Sequence, residues 1–120
     1  MNTNSDYWRK KGMALWGEIV HRPRKCAVND EWCVGRLEAH HLIGRRSKAC
    51  AVDPANGILL CRYHHKEAPA SPHKSTPLWE RWLMANLPQR YVWYMERKGK
   101  VLRDHRTWKE RYEDVERAWL

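Results

Sequence analysis

The sequence predicts an α+β domain in which a β-hairpin followed by a helix is wrapped by helices at both ends. Three observations predict it. Apolar residues recur at helical spacing near both ends of the chain. Two short apolar stretches, Leu37–Ile43 and Ile58–Cys61, lie between turn signals in the middle. All four cysteines and four of the seven histidines fall within that same middle stretch, residues 26–65. A length of 120 residues suits one compact domain, 1–120, and leaves little room for a second.

The elements follow in order. Residues 5–20 read as a helix, with Ser5 or Asp6 as its cap and Trp8, Leu15, Trp16, Ile19 and Val20 on one face. Gly12 and Gly17 weaken it. The basic run His21-Arg22-Pro23-Arg24-Lys25 ends it, because Pro23 restricts its predecessor. That run is either a solvated connector or a phosphate-contacting arm. Val34-Gly35, Ile43-Gly44 and Asp53-Pro54 mark turns around the two strand candidates, and Arg62 to Glu67 is compatible with a helix. Residues 68–76 are a loop by composition. Helices are expected over 77–98, with Thr76 as N-cap, Pro77 at the first position and Glu80 in the first turn. Leu87-Pro88 interrupts this stretch, Trp79, Trp82 and Leu83 face the core before the break, Tyr91, Val92 and Met95 face it after, and Gly99 ends it. Over 107–119, Thr107 and Glu110 form a capping-box pattern. Trp108, Tyr112, Val115 and Trp119 then recur at steps of four, three and four. This stripe reads as packing on the domain rather than binding a partner.

The net charge is +9, from 23 Lys and Arg against 14 Asp and Glu. So basic a chain points to a polyanionic partner. No apolar run approaches the roughly 20 residues of a membrane-spanning helix, and Asn2 to Asp6 form no signal peptide, so no membrane role and a cytoplasmic location are expected. In a reducing compartment the cysteines read as thiols or metal ligands rather than disulfides. Eight Trp and no Phe leave large flat rings for packing helices, and some of them for stacking on bases or sugars.

The chemistry lies in three clusters: His40-His41 after Leu37-Glu38-Ala39, Asn56 in Asp53-Pro54-Ala55-Asn56-Gly57, and Cys61-Arg62-Tyr63-His64-His65 after Ile58-Leu59-Leu60. Fourteen residues separate His41 from Asn56, and eight separate Asn56 from His65. This pattern resembles the HNH endonucleases, also called ββα-metal or His-Me finger nucleases, over about residues 26–73. The later stretch from Ser71-Pro72-His73 to Trp79-Glu80-Arg81-Trp82 is similar to small phage-encoded members. The resemblance implies a ββα-metal finger that hydrolyses DNA phosphodiesters with one divalent ion (Mg, Mn, Ni or Zn), leaving 5′-phosphate and 3′-hydroxyl ends. It implies a place in phage DNA packaging or recombination, in the host cytoplasm.

Carried over position by position, His40 is a ligand of the catalytic ion and His41 the general base. Imidazole suits the second task, with an unperturbed pKa of about 6.5 that leaves it neutral near pH 7. Neighbouring strand residues point to opposite faces, so one histidine can hold the ion while the other reaches the water, provided the strand bends there. His65 is the other ligand, presented from the first turn of a helix. Asn56 ties the connecting loop to the backbone near the base. His73 is either a third ligand or a plain loop histidine, with Pro69 and Pro72 among the seven residues before it. Arg45, Arg46 and Lys48, in the loop after the base, and Arg62, beside the ligand helix, are expected to contact phosphate.

Many members of the family also carry a zinc knuckle. Here Cys26 and Cys33 fit its first ligand pair, and Cys61 with His64 fits the second, giving the Cys₃His set that Zn²⁺ accepts in a closed tetrahedron. The six residues between Cys26 and Cys33 exceed the common two, so Cys50 can replace either, or pack as a small apolar residue. Two alternatives belong to other classes: a non-catalytic, zinc-stapled nucleic-acid-binding module, and a protein–protein adaptor built on the Trp-rich helices. His41 and Asn56 discriminate, because a binding module has no use for both beside a two-histidine metal site.

Overall fold

A computed structural model of the chain describes residues 2–120, with side chains from residue 4 onward. The elements are α1 (Asn2–Val20), β1 (Leu37–His41), β2 (Gly57–Cys61), α2 (Thr76–Asn86), α3 (Pro88–Met95) and α4 (Trp108–Trp119). A 3₁₀ turn, Pro54–Asn56, leads into β2, and a single π-type turn, Tyr63–Glu67, leaves it. The architecture is α+β: one antiparallel two-stranded hairpin with flanking helices. No helix among the described residues is long and apolar enough to cross a membrane.

The hairpin is covered on both faces, which explains why β2 reads as an unbroken apolar run. Its five residues, Gly57 to Cys61, are all buried. Ile58 and Leu60 join Leu42, Trp79, Leu83 and Tyr94 in a core on the α2–α3 side. Leu59 joins Leu15, Trp16, Ile19, Val20, Val52 and Val115 in a second core on the α1–α4 side. The register pairs His40 with Ile58 and His41 with Gly57. Directly paired residues share a face, so His40 belongs to the α2 side and His41 to the α1 side. Gly57 is needed for this close packing: a Cβ there would run into the Val20 side chain and sit 3.1 Å from Trp16 Cζ2.

Several boundaries differ from the sequence expectations. The first helix begins at Asn2, so Ser5 and Asp6 lie inside it. The Asp6 carboxylate pairs with Arg9 and Lys10 one turn on instead of capping the backbone. Ser75, not Thr76, caps α2, since its extended backbone lets the hydroxyl accept from the Leu78 amide at 3.3 Å. After β2 the chain makes one π turn, closed by the Ala68 amide on the Tyr63 carbonyl, rather than a longer helix. In α3 the inward face is Tyr91 and Tyr94, while Val92 and Met95 point outward. The Tyr94 hydroxyl compensates for its burial by donating to Glu80 at 2.6 Å. That helix ends at Met95, and Gly99 closes the following turn in the left-handed region at φ +70°. In α4 the Thr107–Glu110 capping box forms, Val115 is buried, and Trp108 and Tyr112 pack on the α1 core, whereas Trp119 is 40% exposed at its edge.

Candidate functional site

Two clusters of metal-ligating side chains flank the start of the π turn. The first contains Cys26, Cys33, Cys61 and His64. Cys61 is the last residue of β2 and His64 lies in the turn. Cys26 arrives from the segment after α1, where the Ala27 amide bonds to the Leu59 carbonyl. The loop to Cys33 spans the long spacing by folding on itself, with Asn29 at φ +49° and the Cys33 amide on the Asp30 carbonyl, and Gly35 turns the chain after it at φ +88°. A side chain at Gly35 would also press on Arg62 Cβ at 2.8 Å. From the sulfurs of Cys26, Cys33 and Cys61 to His64 Nδ1 the distances are 3.7, 3.6 and 3.1 Å. Tetrahedral zinc, with bonds of about 2.3 Å to sulfur and 2.0–2.1 Å to nitrogen, separates such atoms by about 3.6 Å. The donor set therefore fits a closed zinc site. His64 Nε2 lies 3.1 Å from an Asp30 carboxylate oxygen, which leaves Nδ1 free to face the sulfurs. Burial pushes the Cys61 thiol up, but hydrogen bonds led by the His64 backbone amide bring the group down to about 7. Burial pushes Cys33 up to about 11. Cys50 stands apart, buried alone, and replaces neither Cys26 nor Cys33.

The second cluster is His40, His65 and His73. His40 Nδ1 and His73 Nε2 lie 3.1 and 3.2 Å from His65 Nε2. His65 Nδ1 donates to Glu38 Oε1 at 2.8 Å, so its Nε2 presents only a lone pair to both neighbours. Three imidazole nitrogens so close are the spacing that bonds of about 2.1 Å to one cation produce, about 3.0 to 3.4 Å. These residues fit a divalent ion. The loop Ala68–Ser75 carries His73 back despite Pro69 and Pro72, because the Ser71 amide bonds to the Ala68 carbonyl and the Ser75 amide to the Ser71 carbonyl. Burial, then the adjacent imidazoles, hold His40 down to about 3, and burial also lowers His65 against the pull of Glu38. Neutral imidazole is the ligating form.

His41 lies at the end of β1, beside this cluster but on the other face. Its ring stacks on Trp16 with centroids 3.8 Å apart and planes 8° from parallel. Nε2 is 2.9 Å from the Ala51 carbonyl. A carbonyl only accepts, so Nε2 carries the proton and Nδ1 keeps a lone pair with no protein partner among the described residues. Burial lowers the His41 pKa, and the nearby Arg45 guanidinium adds to this against the Ala51 bond. Asn56 is wholly buried. Its Oδ1 accepts from the Ile43 amide at 2.6 Å, and its Nδ2 donates to the carbonyls of Ile43 and Cys50 at 2.9 and 3.0 Å. One side chain thereby clamps both ends of the loop after β1, including the residue before Ala51.

Arg45, Arg46 and Lys48 are exposed on this loop and line a hollow whose wall includes Ala51. Arg62 does not join them: it packs beside Gly35 and faces Glu67 at 3.7 Å. The residue missed by sequence reasoning is Glu38. Besides holding His65 it meets Arg36 at 2.8 Å, and Arg36 and His65 together keep its carboxyl down at about 2. The signal was its place two residues before His40, on the same strand face. Of the three clustered histidines, His73 is exposed, His40 is half-buried and His65 is buried, and His41 beside them is half-buried. Comparison with known protein families, with curated proteins and with solved structures finds no match to this chain.

Proposed function

We propose that this chain is a metal-dependent DNA endonuclease of the HNH, ββα-metal kind, with the hairpin and the π turn as its finger. The observation that carries the reading is the convergence of His40, His65 and His73 next in the chain to His41, whose Nδ1 lone pair is left free by the bond from Nε2 to Ala51. A divalent ion held by the three histidines would supply Lewis acidity toward a non-bridging phosphate oxygen and the departing 3′ oxygen.

The chain's own residues perform the rest. His41 Nδ1 takes a proton from the attacking water, and the Ala51 carbonyl stabilises the imidazolium that forms. Asn56 positions that carbonyl through its bonds to Cys50 and Ile43, and Trp16 covers one face of the ring so that the imidazole cannot swing away. Glu38 holds His65 in the tautomer that ligates through Nε2. Arg45, Arg46 and Lys48 attract the phosphate backbone to the same side of the hairpin as His41. Cys26, Cys33, Cys61 and His64 would hold a zinc ion, which would staple the segment after α1 to the end of β2 and to the turn that presents His65.

Incubation with supercoiled plasmid and Mg²⁺, Mn²⁺ or Ni²⁺ tests the reading. Metal-dependent nicking is expected, falling at least 100-fold in His41→Ala while that variant stays folded and still binds DNA. Equal nicking by wild type and His41→Ala would remove His41 from the chemistry. Binding without nicking under every metal would leave a non-catalytic binding module.

A further inference from the structure

The basic charge is not spread evenly. Several arginines and lysines are matched to carboxylates: Arg36 to Glu38, Arg62 to Glu67, Lys98 to Glu80, Arg106 to Asp104 and Asp114, Arg117 to Asp114. Arg45, Arg46 and Lys48 have no carboxylate within ion-pair distance among the described residues. They converge with Arg9 and Lys10 of α1 on one hollow of about 420 Å³, which no acidic side chain among the described residues lines. Arg9 and Lys10 share the single carboxylate of Asp6. Both pairs are solvent-exposed, so they hold weakly and yield readily to another anion.

The hollow continues in two directions. At one end its wall is Ala51, whose carbonyl holds His41. At the other, Lys48 and Trp108 are shared with a second hollow of about 600 Å³ on the face of α4. There Arg106 and Arg111 are committed to Asp104, at 2.6 and 3.6 Å, whereas exposed Lys48 and Lys109 line the same hollow with no carboxylate in ion-pair distance among the described residues, Lys109 Nζ lying 5.6 Å from the Trp8 ring centroid. The result is a line of cations from the His41 loop, across α1, to the first turn of α4. Six cations spread over two adjoining hollows match a chain of phosphates rather than one small anion.

We propose that this pair of hollows is a track for the DNA backbone flanking the cleaved bond, so that α1 and α4 are part of the nucleic-acid interface as well as packing helices. The identity of the partner rests on the nuclease reading above; the track itself does not. Duplex binding tests it, read by fluorescence anisotropy at several salt concentrations, with His41→Ala in every protein and no divalent ion added. Lys10→Gln with Lys109→Gln removes two exposed cations from the track. Arg81→Gln with Lys100→Gln removes two exposed cations elsewhere, with the same change in net charge. The track pair is expected to lower the slope of log affinity against log salt by about 1.8, at about 0.9 for each phosphate no longer neutralised. The other pair is expected to leave the slope unchanged. An unchanged slope in the track pair, or an equal fall in both pairs, overturns the track. The plasmid assay judges the chemistry separately. Nicking with an unaltered salt slope strikes the track alone, and a track-specific slope change without nicking strikes the nuclease reading alone.

Discussion

Replacing Asn56 tests whether the loop after β1 is held by one side chain. Asn56→Ala removes three hydrogen bonds, but their removal is not equally costly. The Cys50 carbonyl keeps the Asp53 amide at 3.1 Å. The Ile43 amide and carbonyl lose their partner outright. Two backbone groups left unsatisfied in a partly buried site cost about 1–2 kcal/mol each, so a loss of about 3 kcal/mol is expected. Asn56→Asp keeps the shape and the acceptor for the Ile43 amide, yet it sets a carboxylate against two carbonyls. That substitution should be at least as costly at pH 7 as Asn56→Ala. The new carboxyl has its folded pKa raised above its unfolded value of about 3.9, because burial and the carbonyls disfavour its charged form. Its penalty is therefore present above the folded pKa and is relieved as pH falls through it, when the protonated group donates to one carbonyl. Urea denaturation at pH 7 and pH 5 reads both effects, with the slope m checked for constancy. A loss below about 1 kcal/mol in Asn56→Ala, or an Asn56→Asp variant more stable than it at pH 7, would refute the clamp.

Other consequences follow from the same geometry. Glu38→Gln weakens the hydrogen bond that sets the His65 tautomer, and should reduce affinity for Co²⁺ at the histidine cluster by about 10–100-fold; an unchanged titration, with the cysteine cluster kept loaded with zinc, would contradict it. Cys61→Ser should lose the roughly one zinc per chain expected of a Cys₃His set, whereas Cys50→Ser should retain it in elemental analysis. Asp104, held well below the usual carboxylate range by Arg106 and then by Arg111, also partners a buried arginine. Asp104→Asn should cost about 3 kcal/mol at neutral pH, toward the lower end for breaking a buried pair. A depressed folded pKa gives stability above the unfolded pKa of about 3.9 that is lost as pH falls further. The gap between wild type and Asp104→Asn, read from thermal melts, should therefore narrow below about pH 4; a constant gap would rule out the ion pair as its source.

The sequence discloses those parts of the molecule in which residue type and spacing act together. The hairpin shows as two apolar stretches between turn formers, and α4 shows as a stripe behind a capping box. The sulfur-rich cluster shows because Cys61 and His64 lie one turn apart at a strand end. Cys26 and Cys33 are harder to read, since only a folded loop makes six intervening residues equivalent to a short bridge. Other features carry no residue-type signature. The Ala51 carbonyl that orients His41 is backbone, and its position depends on Asn56 clamping a loop whose path no propensity dictates. The Trp16 stack on His41 needs Gly57 opposite, a meeting of three elements. Helical periodicity alone does not show that Tyr94, rather than Val92 or Met95, turns inward. Tyr94 gains both burial and a hydrogen bond to Glu80, while the other two would gain burial only.

His64 and His65 are neighbours in the chain that serve different clusters, one among sulfurs and one among imidazoles. The wide turn that carries them thus works as a splitter, and its winding decides which ring goes where. Deleting or inserting a single residue between Cys61 and His64 would rotate both rings to wrong addresses at once, so that neither donor set could re-form. Tolerance to length change should therefore be lowest at this point of the chain, although it is neither the longest element nor the most deeply packed.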